Sequence, residues 1–357
     1  MRARTAALAL AAAALLAAAC GTTEKPGVAP SPPSTEATPG RPAVTDRATS
    51  TNDGAGCVVT LDPGADVGAA VASAEAGAVI CLRAGRYEGA LVVGRSVTLR
   101  GLGAPGEAVL DAAKGGPVVA VRDDDLEVRL EGLTLEGGSA SGGGGGVQLT
   151  GMSTVRLVGC TLRDNVARQG PGGAVYADRG TVALERCRVD TNEATDAPGV
   201  FVDGIASLKV ETSLIRGAGG PTDAVVRVRD GADAAIANTT IVAEGEAAAL
   251  HASGTSSRAP DVAVVDSVLA GKAALDVPGP FPGHVTVARS VLSAAAADAY
   301  SDLGGATVAA PGFAGEGAEP WAPGAGSAAC GLAQGGGVDL AGKARPEDGA
   351  CAGALER

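Results

Sequence analysis

Four apolar positions, spaced two, three and two residues apart, recur along this chain at a nearly constant interval. Val155, Leu157, Cys160 and Leu162 make one copy; Val182, Leu184, Cys187 and Val189 make the next. The same frame fits Val128 to Leu135, Leu208 to Ile215, Ala234 to Ile241, Val262 to Leu269 and Val285 to Leu292, seven copies in all. Measured at the second position, the steps are 27, 27, 26, 26, 28 and 23 residues. A further copy begins at Val97 and Leu99 and loses the pattern after Leu102. A fixed period of this size marks a repeat architecture. Alternation by two is strand periodicity with one buried face. The step of three breaks that parity, so the chain turns a corner at Gly132, Gly159, Arg186, Thr212, Asn238, Asp266 and Arg289. Four of these seven are Gly, Asn or Asp, which best tolerate left-handed backbone. Each unit then crosses a glycine-bearing stretch into another apolar patch, as in GGGGGVQL, GPGGAVYA, APGVFV, TDAVVRV and EAAALHA. A third strand there completes a three-sided coil.

Short strands with no helical pattern between them suit parallel coils stacked ~4.8 Å apart, because one coil cannot bury its own inner face and a stack can. The fold class is therefore all-β, a single-stranded parallel β-helix of roughly eight to ten coils. Over residues 57–315 the pattern resembles the right-handed β-helix repeats of the pectin-lyase-like superfamily, and crossovers between parallel strands are right-handed as a rule. The column Leu133, Cys160, Cys187, Ser213, Thr239, Ser267, Ser290 is expected to line one interior corner, and Asn165 and Asn192 to form a short amide ladder just beyond. Cys160 and Cys187 fall in adjacent coils, where a strained disulfide and two stacked free thiols both fit. The entry ADVGAAVASAEAGAVICLRAGRYEG looks like the superfamily's usual start: a capping helix over about 66–76, a first strand and a Gly-Arg-Tyr turn. At the other end, residues 316–357 resemble the terminal segment of β-helix surface proteins called choice-of-anchor Q. Asp339, Leu340, Gly342, Arg345 and Pro346 match its D-L-x-G-x-x-R-P element, and Gly353, Ala354 and Glu356 its final G-A-x-E. By that resemblance the segment caps the solenoid.

The chain opens MRARTAALALAAAALLAAACG. Arg2 and Arg4 form a basic start, and the apolar run from Ala6 to Ala19 is shorter than the ~20 residues that span a bilayer, so residues 1–19 read as a secretory signal. LAAAC resembles the lipobox of bacterial lipoproteins, which implies cleavage before Cys20, lipid on Cys20, and a domain anchored to a bacterial cell membrane facing outside the cytoplasm. Residues 20–56, rich in Pro, Ser, Thr and Gly, read as a disordered tether. Export favours disulfides among Cys57, Cys81, Cys160, Cys187, Cys330 and Cys351. Spacing leaves the pairing open; neighbour pairing, 57 with 81 and 330 with 351, is the simplest. A net charge of −12 does not suit a nucleic-acid partner.

Candidate chemistry is sparse. Asp123, Asp124 and Asp125 form one acidic run, and Asp178, Asp203 and Asp230 close successive coils in YADRG, FVDG and VRDG, 25 and 27 residues apart. They read as a Ca²⁺ or sugar-binding column or, preferably, as turn residues, since Asp before Gly commonly rounds a corner. Tyr176 and Phe201 occupy matching coil positions and either make a small platform for sugar stacking or fill core. His251 and His284 have no evident partner and read as packed or surface residues. The GGGGG run has no following Lys-Ser/Thr or helix, so it is a loop insertion and no phosphate loop. No catalytic residue, cofactor or metal site is assigned. The favoured expectation is a non-enzymatic envelope scaffold that binds polysaccharide. The alternatives are a polysaccharide lyase or glycoside hydrolase, as the superfamily resemblance implies, and a module for a surface protein partner.

Overall fold

The computed structural model describes residues 56–219, 223–255, 258–294, 299–347 and 349–356. The expected leader, Cys20 and residues 20–55 of the expected tether lie outside them. The described chain winds into a right-handed parallel β-helix of eight complete coils, three strands to a coil. The first sheet stacks eleven strands, from Val59–Leu61 to Ser301–Asp302, and the second ten, from Gly85–Glu88 to Thr307–Val308. The third stacks eight parallel strands, from Leu91–Val93 to Ala273–Asp276, with Phe281–Pro282 pairing antiparallel to Ala248–Gly254 at its edge. Three shorter strands, Ser139–Ala140, Val166–Pro171 and Glu193–Asp196, add a fourth side to the third, fourth and fifth coils.

The repeat frame is the register. Val128, Val155, Val182, Leu208, Ala234, Val262 and Val285 stand in one column of the first sheet, and all are buried in a single continuous core. Every corner residue is left-handed, from φ 44° at Arg289 to φ 64° at Gly132. Arg186, Thr212 and Arg289 accept this with a Cβ in place, at about 1–2 kcal/mol each. The coil geometry holds them there: the Thr212 N–H still donates to Ala237 O of the next coil at 3.1 Å, as Asn238 does to Val265 O.

The interior column after the corner solves a hydrogen-bonding problem. A buried N–H without a partner is costly, and here side chains one coil further on supply the acceptors. Cys187 N donates to Ser213 Oγ at 3.0 Å, Ser213 N to Thr239 Oγ1 at 3.4 Å, Thr239 N to Ser267 Oγ at 3.2 Å and Ser267 N to Ser290 Oγ at 3.0 Å. Each of these hydroxyls in turn donates to the carbonyl two residues before it. Cys160 and Cys187 occupy the same column as free, buried thiols. Each thiol donates to a carbonyl of the preceding coil, Leu130 O and Leu157 O, at 3.4 Å. Burial and the neighbouring Cys160 raise the Cys187 thiol well above its ordinary range. Asn165 and Asn192 form the amide ladder, Nδ2 of Asn165 donating to Oδ1 of Asn192 at 3.0 Å.

At the N-terminal end, Asp66 caps a helix over Val67–Ser73, accepting from Ala69 N at 2.9 Å, and Cys57 is bonded to Cys81. At the other end of the stack, Ala299, Tyr300 and Ala306 pack against the core. The C-terminal segment does something different from closing that end: it lies along the flank. Ala329, Ala333, Ala350, Ala352, Ala354 and Leu355 bury Leu214, Val242, Val268, Ala270 and Val291, the outward residues of the second sheet in its later coils. Gly353 N donates to Asp266 O at 2.7 Å and Ala354 N to Thr240 Oγ1 at 3.0 Å.

Asp339, Arg345 and Glu356 of the D-L-x-G-x-x-R-P and G-A-x-E elements form one buried network within this flank cover. Arg345 pairs with Glu356 at 2.8 Å, with side chains 2% and 5% exposed, and also donates to Cys351 O and Gly353 O. Asp339 accepts from Lys343 N at 2.7 Å and Glu356 N at 2.8 Å. Cys330 is bonded to Cys351, across a two-stranded antiparallel pairing of Cys330–Ala333 with Ala350–Cys351. The two disulfides fit a domain that folds outside the reducing cytoplasm. Among the described residues no helix is long and apolar enough to cross a membrane.

Candidate functional site

Strand alternation decides what the third sheet shows to solvent. Val175, Ala177, Val200, Val202, Val226, Val228, Leu250 and Ala252 face the core. The intervening residues Gln148, Tyr176, Phe201, Arg227, His251 and Asp276 form one outward row, each in register with the next. This row holds Tyr176 and Phe201 together with Arg227, His251 and Asp276.

Tyr176 and Phe201 stack with centroids 5.9 Å apart and planes 18° from parallel. They belong to the outer face and not to the core. Arg229 lies with its Cζ 5.2 Å from the Phe201 centroid, a cation–π arrangement. Phe201 is nearly covered, 2% exposed, whereas Tyr176 is half-buried. Burial first, then Asp178 and Asp203, raise the Tyr176 hydroxyl above its ordinary value. The glycine run earns its composition here: a Cβ on Gly143 would lie 2.6 Å from the Tyr176 ring, and one on Gly146 2.5 Å from Ala174 O. From Gly143 to Gly146 the run is backbone pressed between coils, where side chains do not fit.

The expected acidic column is only partly a column. Asp178 and Asp203 follow in-register strands, but register places Arg229, and after it Ser253, next in that row. Arg229 pairs with Asp203 at 2.6 Å. Asp230 turns away at φ 52°, and its carboxylate takes the Thr255 hydroxyl of the following coil at 2.7 Å. Burial raises the Asp178 carboxyl, Arg179 opposes this, and Asp203 adds to it. Asp123, Asp124 and Asp125 sit apart, in the turn leading to Glu127–Glu131. Asp124 accepts from Met152 N at 2.7 Å, and Asp125 is left-handed at φ 60°. These are turn geometries, and no base joins a carboxylate pair among them. Among the described residues no three His, Cys, Asp or Glu side chains converge as a metal site requires.

His251 has partners that sequence reading missed. Its Nδ1 lies 2.7 Å from Asp276 Oδ2, and its Nε2 lies 2.6 Å from Ser253 Oγ. Its side chain is 6% exposed. Burial and the nearby Arg227 lower its pKa from the usual 6.5, outweighing Asp276 and Asp196. Arg227 in turn pairs with Asp196 at 2.8 Å, whose carboxyl burial pushes up. His284 pairs with Asp261 at 3.0 Å on the first sheet, but its side chain is 74% exposed.

No family model matches the chain, and no curated protein matches it. Among solved structures, the crystal structure of Escherichia coli YbhC is similar at 15% identity, over 76% of this chain and 77% of that one, with a TM-score of 0.34. That degree of likeness does not bear on function.

Proposed function

We propose that the protein is an exported lipoprotein, tethered to a membrane by lipid on Cys20, whose solenoid is a scaffold that holds polysaccharide along the outer face of the third sheet. The observation that supports this reading is the Tyr176–Phe201 stack, flanked by Arg229, Asp178 and Asp203. The half-buried Tyr176 ring, backed by the covered Phe201 and rimmed by charged hydrogen-bonding groups, suits a sugar ring, which stacks by its C–H face and bonds by its hydroxyls. Cleavage of the glycan chain finds less support, because the acidic residues expected to carry it bond within turns. A protein partner was expected to need an exposed apolar strip; the apolar strip of the second sheet is covered by the chain's own residues 329–355.

The test uses the chain with Cys20→Ala, incubated with and without Ca²⁺ against acidic and neutral polysaccharides. Retention without new chain ends by mass spectrometry is expected, and Tyr176→Ala should weaken it about 2- to 10-fold, the range of one stacking contact. New chain ends, or no retention of any polymer, would overturn the reading. The anchor is tested separately: wild-type chain should partition with membranes and carry lipid mass on Cys20, and Cys20→Ala should release it.

A further inference from the structure

We infer that Ser253, His251 and Asp276 form a nucleophile, base and orienting carboxylate that hydrolyse small acyl esters on the outer face of the third sheet. This goes beyond glycan retention and does not depend on it.

The coil builds the arrangement from two periodicities. In-register parallel strands place Asp276 beside His251, one coil away at ~4.8 Å. Residues two apart on a strand share a face, so Ser253 stands beside His251 on the other side. The imidazole lies between them with a nitrogen at 2.6–2.7 Å from each. An N–H on Nδ1 donating to Asp276 fixes the tautomer that leaves the Nε2 lone pair for the Ser253 hydroxyl, the role assignment a serine nucleophile requires. The groups facing His251 are Arg227 from the preceding coil, Asp276 from the following one, and Asp196 behind Arg227. Burial and Arg227 outweigh the two carboxylates and favour the neutral imidazole, which is the form that accepts a proton.

Two guanidiniums stand in register on the preceding coil, Arg227 beside His251 and Arg229 beside Ser253, each also paired with a carboxylate, Asp196 and Asp203 respectively. On the opposite side the antiparallel Phe281–Pro282 strand pairs with Ser253 and Gly254, and a Cβ on Gly254 would lie 3.2 Å from the Phe281 Cβ. That strand walls one edge of the site. In the reaction, Ser253 Oγ bonds to the ester carbonyl carbon as its proton passes to His251 Nε2. The C–O bond to the alcohol breaks, and the alcohol oxygen takes that proton. Water then adds to the acyl carbon, giving a proton to Nε2; the bond to Ser253 Oγ breaks, and the proton returns to the serine. The products are a carboxylic acid and an alcohol, with no redox change.

His284 is an internal control: it has a carboxylate partner, Asp261, on another sheet, with its ring 74% exposed. The experiment treats the full chain with a fluorophosphonate probe and maps the adduct by mass spectrometry, then follows hydrolysis of p-nitrophenyl acetate. An adduct on Ser253 is expected. Ser253→Ala should abolish it and lower kcat/KM about 10²–10⁴-fold, His251→Gln should do the same, and His284→Ala should change neither. Asp276→Asn should keep the adduct, slow its formation and displace the acid limb of the pH–rate profile. Circular dichroism checks that each variant retains its β-structure. A folded wild-type chain without an adduct on Ser253, or hydrolysis unchanged in folded Ser253→Ala, overturns the inference.

Discussion

The outer face of the second sheet is two surfaces built on one backbone. In the earlier coils many of its outward residues are charged: Arg86 pairs with Asp111 and Glu136, and Glu136 also with Arg163 at 2.7 Å. Arg216 ends this stretch, bridging Asp190 at 2.8 Å and Glu244 at 2.7 Å. In the later coils the same positions hold Leu214, Val242, Val268, Ala270 and Val291. Water finishes the first half; residues 313–355 finish the second, with Trp321 beneath the Arg216 guanidinium at 4.6 Å where the two meet. The buried apolar columns run through both halves, while the corner column holds Leu133, Cys160 and Cys187 in the earlier coils and Ser213, Thr239, Ser267 and Ser290 in the later ones. On the outer face the residue at every second position determines whether a coil needs another piece of protein against it.

Loss of one charge should separate the halves most sharply. Arg345→Met strands Glu356 without its partner inside the cover and should cost about 3–5 kcal/mol, whereas Arg163→Met on the solvated half should cost under about 1 kcal/mol. Denaturant unfolding compares them, and equal losses would falsify the division. Replacing Cys330 and Cys351 together by Ser should cost about 2–4 kcal/mol; limited proteolysis should then cut within 313–347 while the earlier coils stay intact. Ser213→Ala and Ser290→Ala each orphan a buried N–H of the preceding coil and should cost about 1–3 kcal/mol. Those two losses should match, because both hydroxyls serve the same interior column beneath the covered face; a large disparity would show that the cover supports some coils of that column more than others. Thr212→Gly should stabilise by about 1 kcal/mol, through relief of a β-branched side chain at φ 50°. The smallest effect is expected on the third sheet. Folding lowers the His251 pKa below 6.5, so the unfolded chain binds the proton first. This contribution is complete above pH 6.5 and is lost as pH falls through the lowered value. A pH series of thermal melts should show that slope in wild type and a flatter one in His251→Gln.

Much of the solenoid was legible because its interior repeats. The two-three-two spacing located the first two sheets, the parity break located the left-handed corners, and the Leu133-to-Ser290 column located the hydroxyl ladder. Even Arg186, Thr212 and Arg289, poor residues for that backbone, were found by spacing. The outward positions were harder to read, since solvent-facing residues do not need to repeat. Yet Leu214, Val242, Val268 and Val291 carried a signal: apolar residues at positions that face away from the core demand a cover. That demand, taken with the Ala-rich terminal segment, points to the flank and not to the end of the stack. The candidate site was missed for a related reason. Local spacing gives His251 no partner, but in a solenoid the useful spacing is one coil. Asp276 lies 25 residues on, and Ser253 is two residues along the same face. Asp230 misled in the opposite sense, because a coil-length spacing is one residue short of registering it with Asp203.

The flank cover also sets a folding order. Coil-to-coil contacts such as Cys187 to Ser213 join residues 26 apart, while Ala354 reaches Thr240 across 114. Loops of the shorter kind close quickly, and a stack can grow from any point by adding neighbours. The long closure has to wait until Leu214, Val242, Val268 and Val291 already stand side by side, since no single coil presents that surface. For that interval an apolar wall is complete and unclothed. The chain is therefore most prone to self-association late in folding, when most of its hydrogen bonds are already made, and the docking of residues such as Gly353 and Ala354 onto Asp266 and Thr240 ends that state.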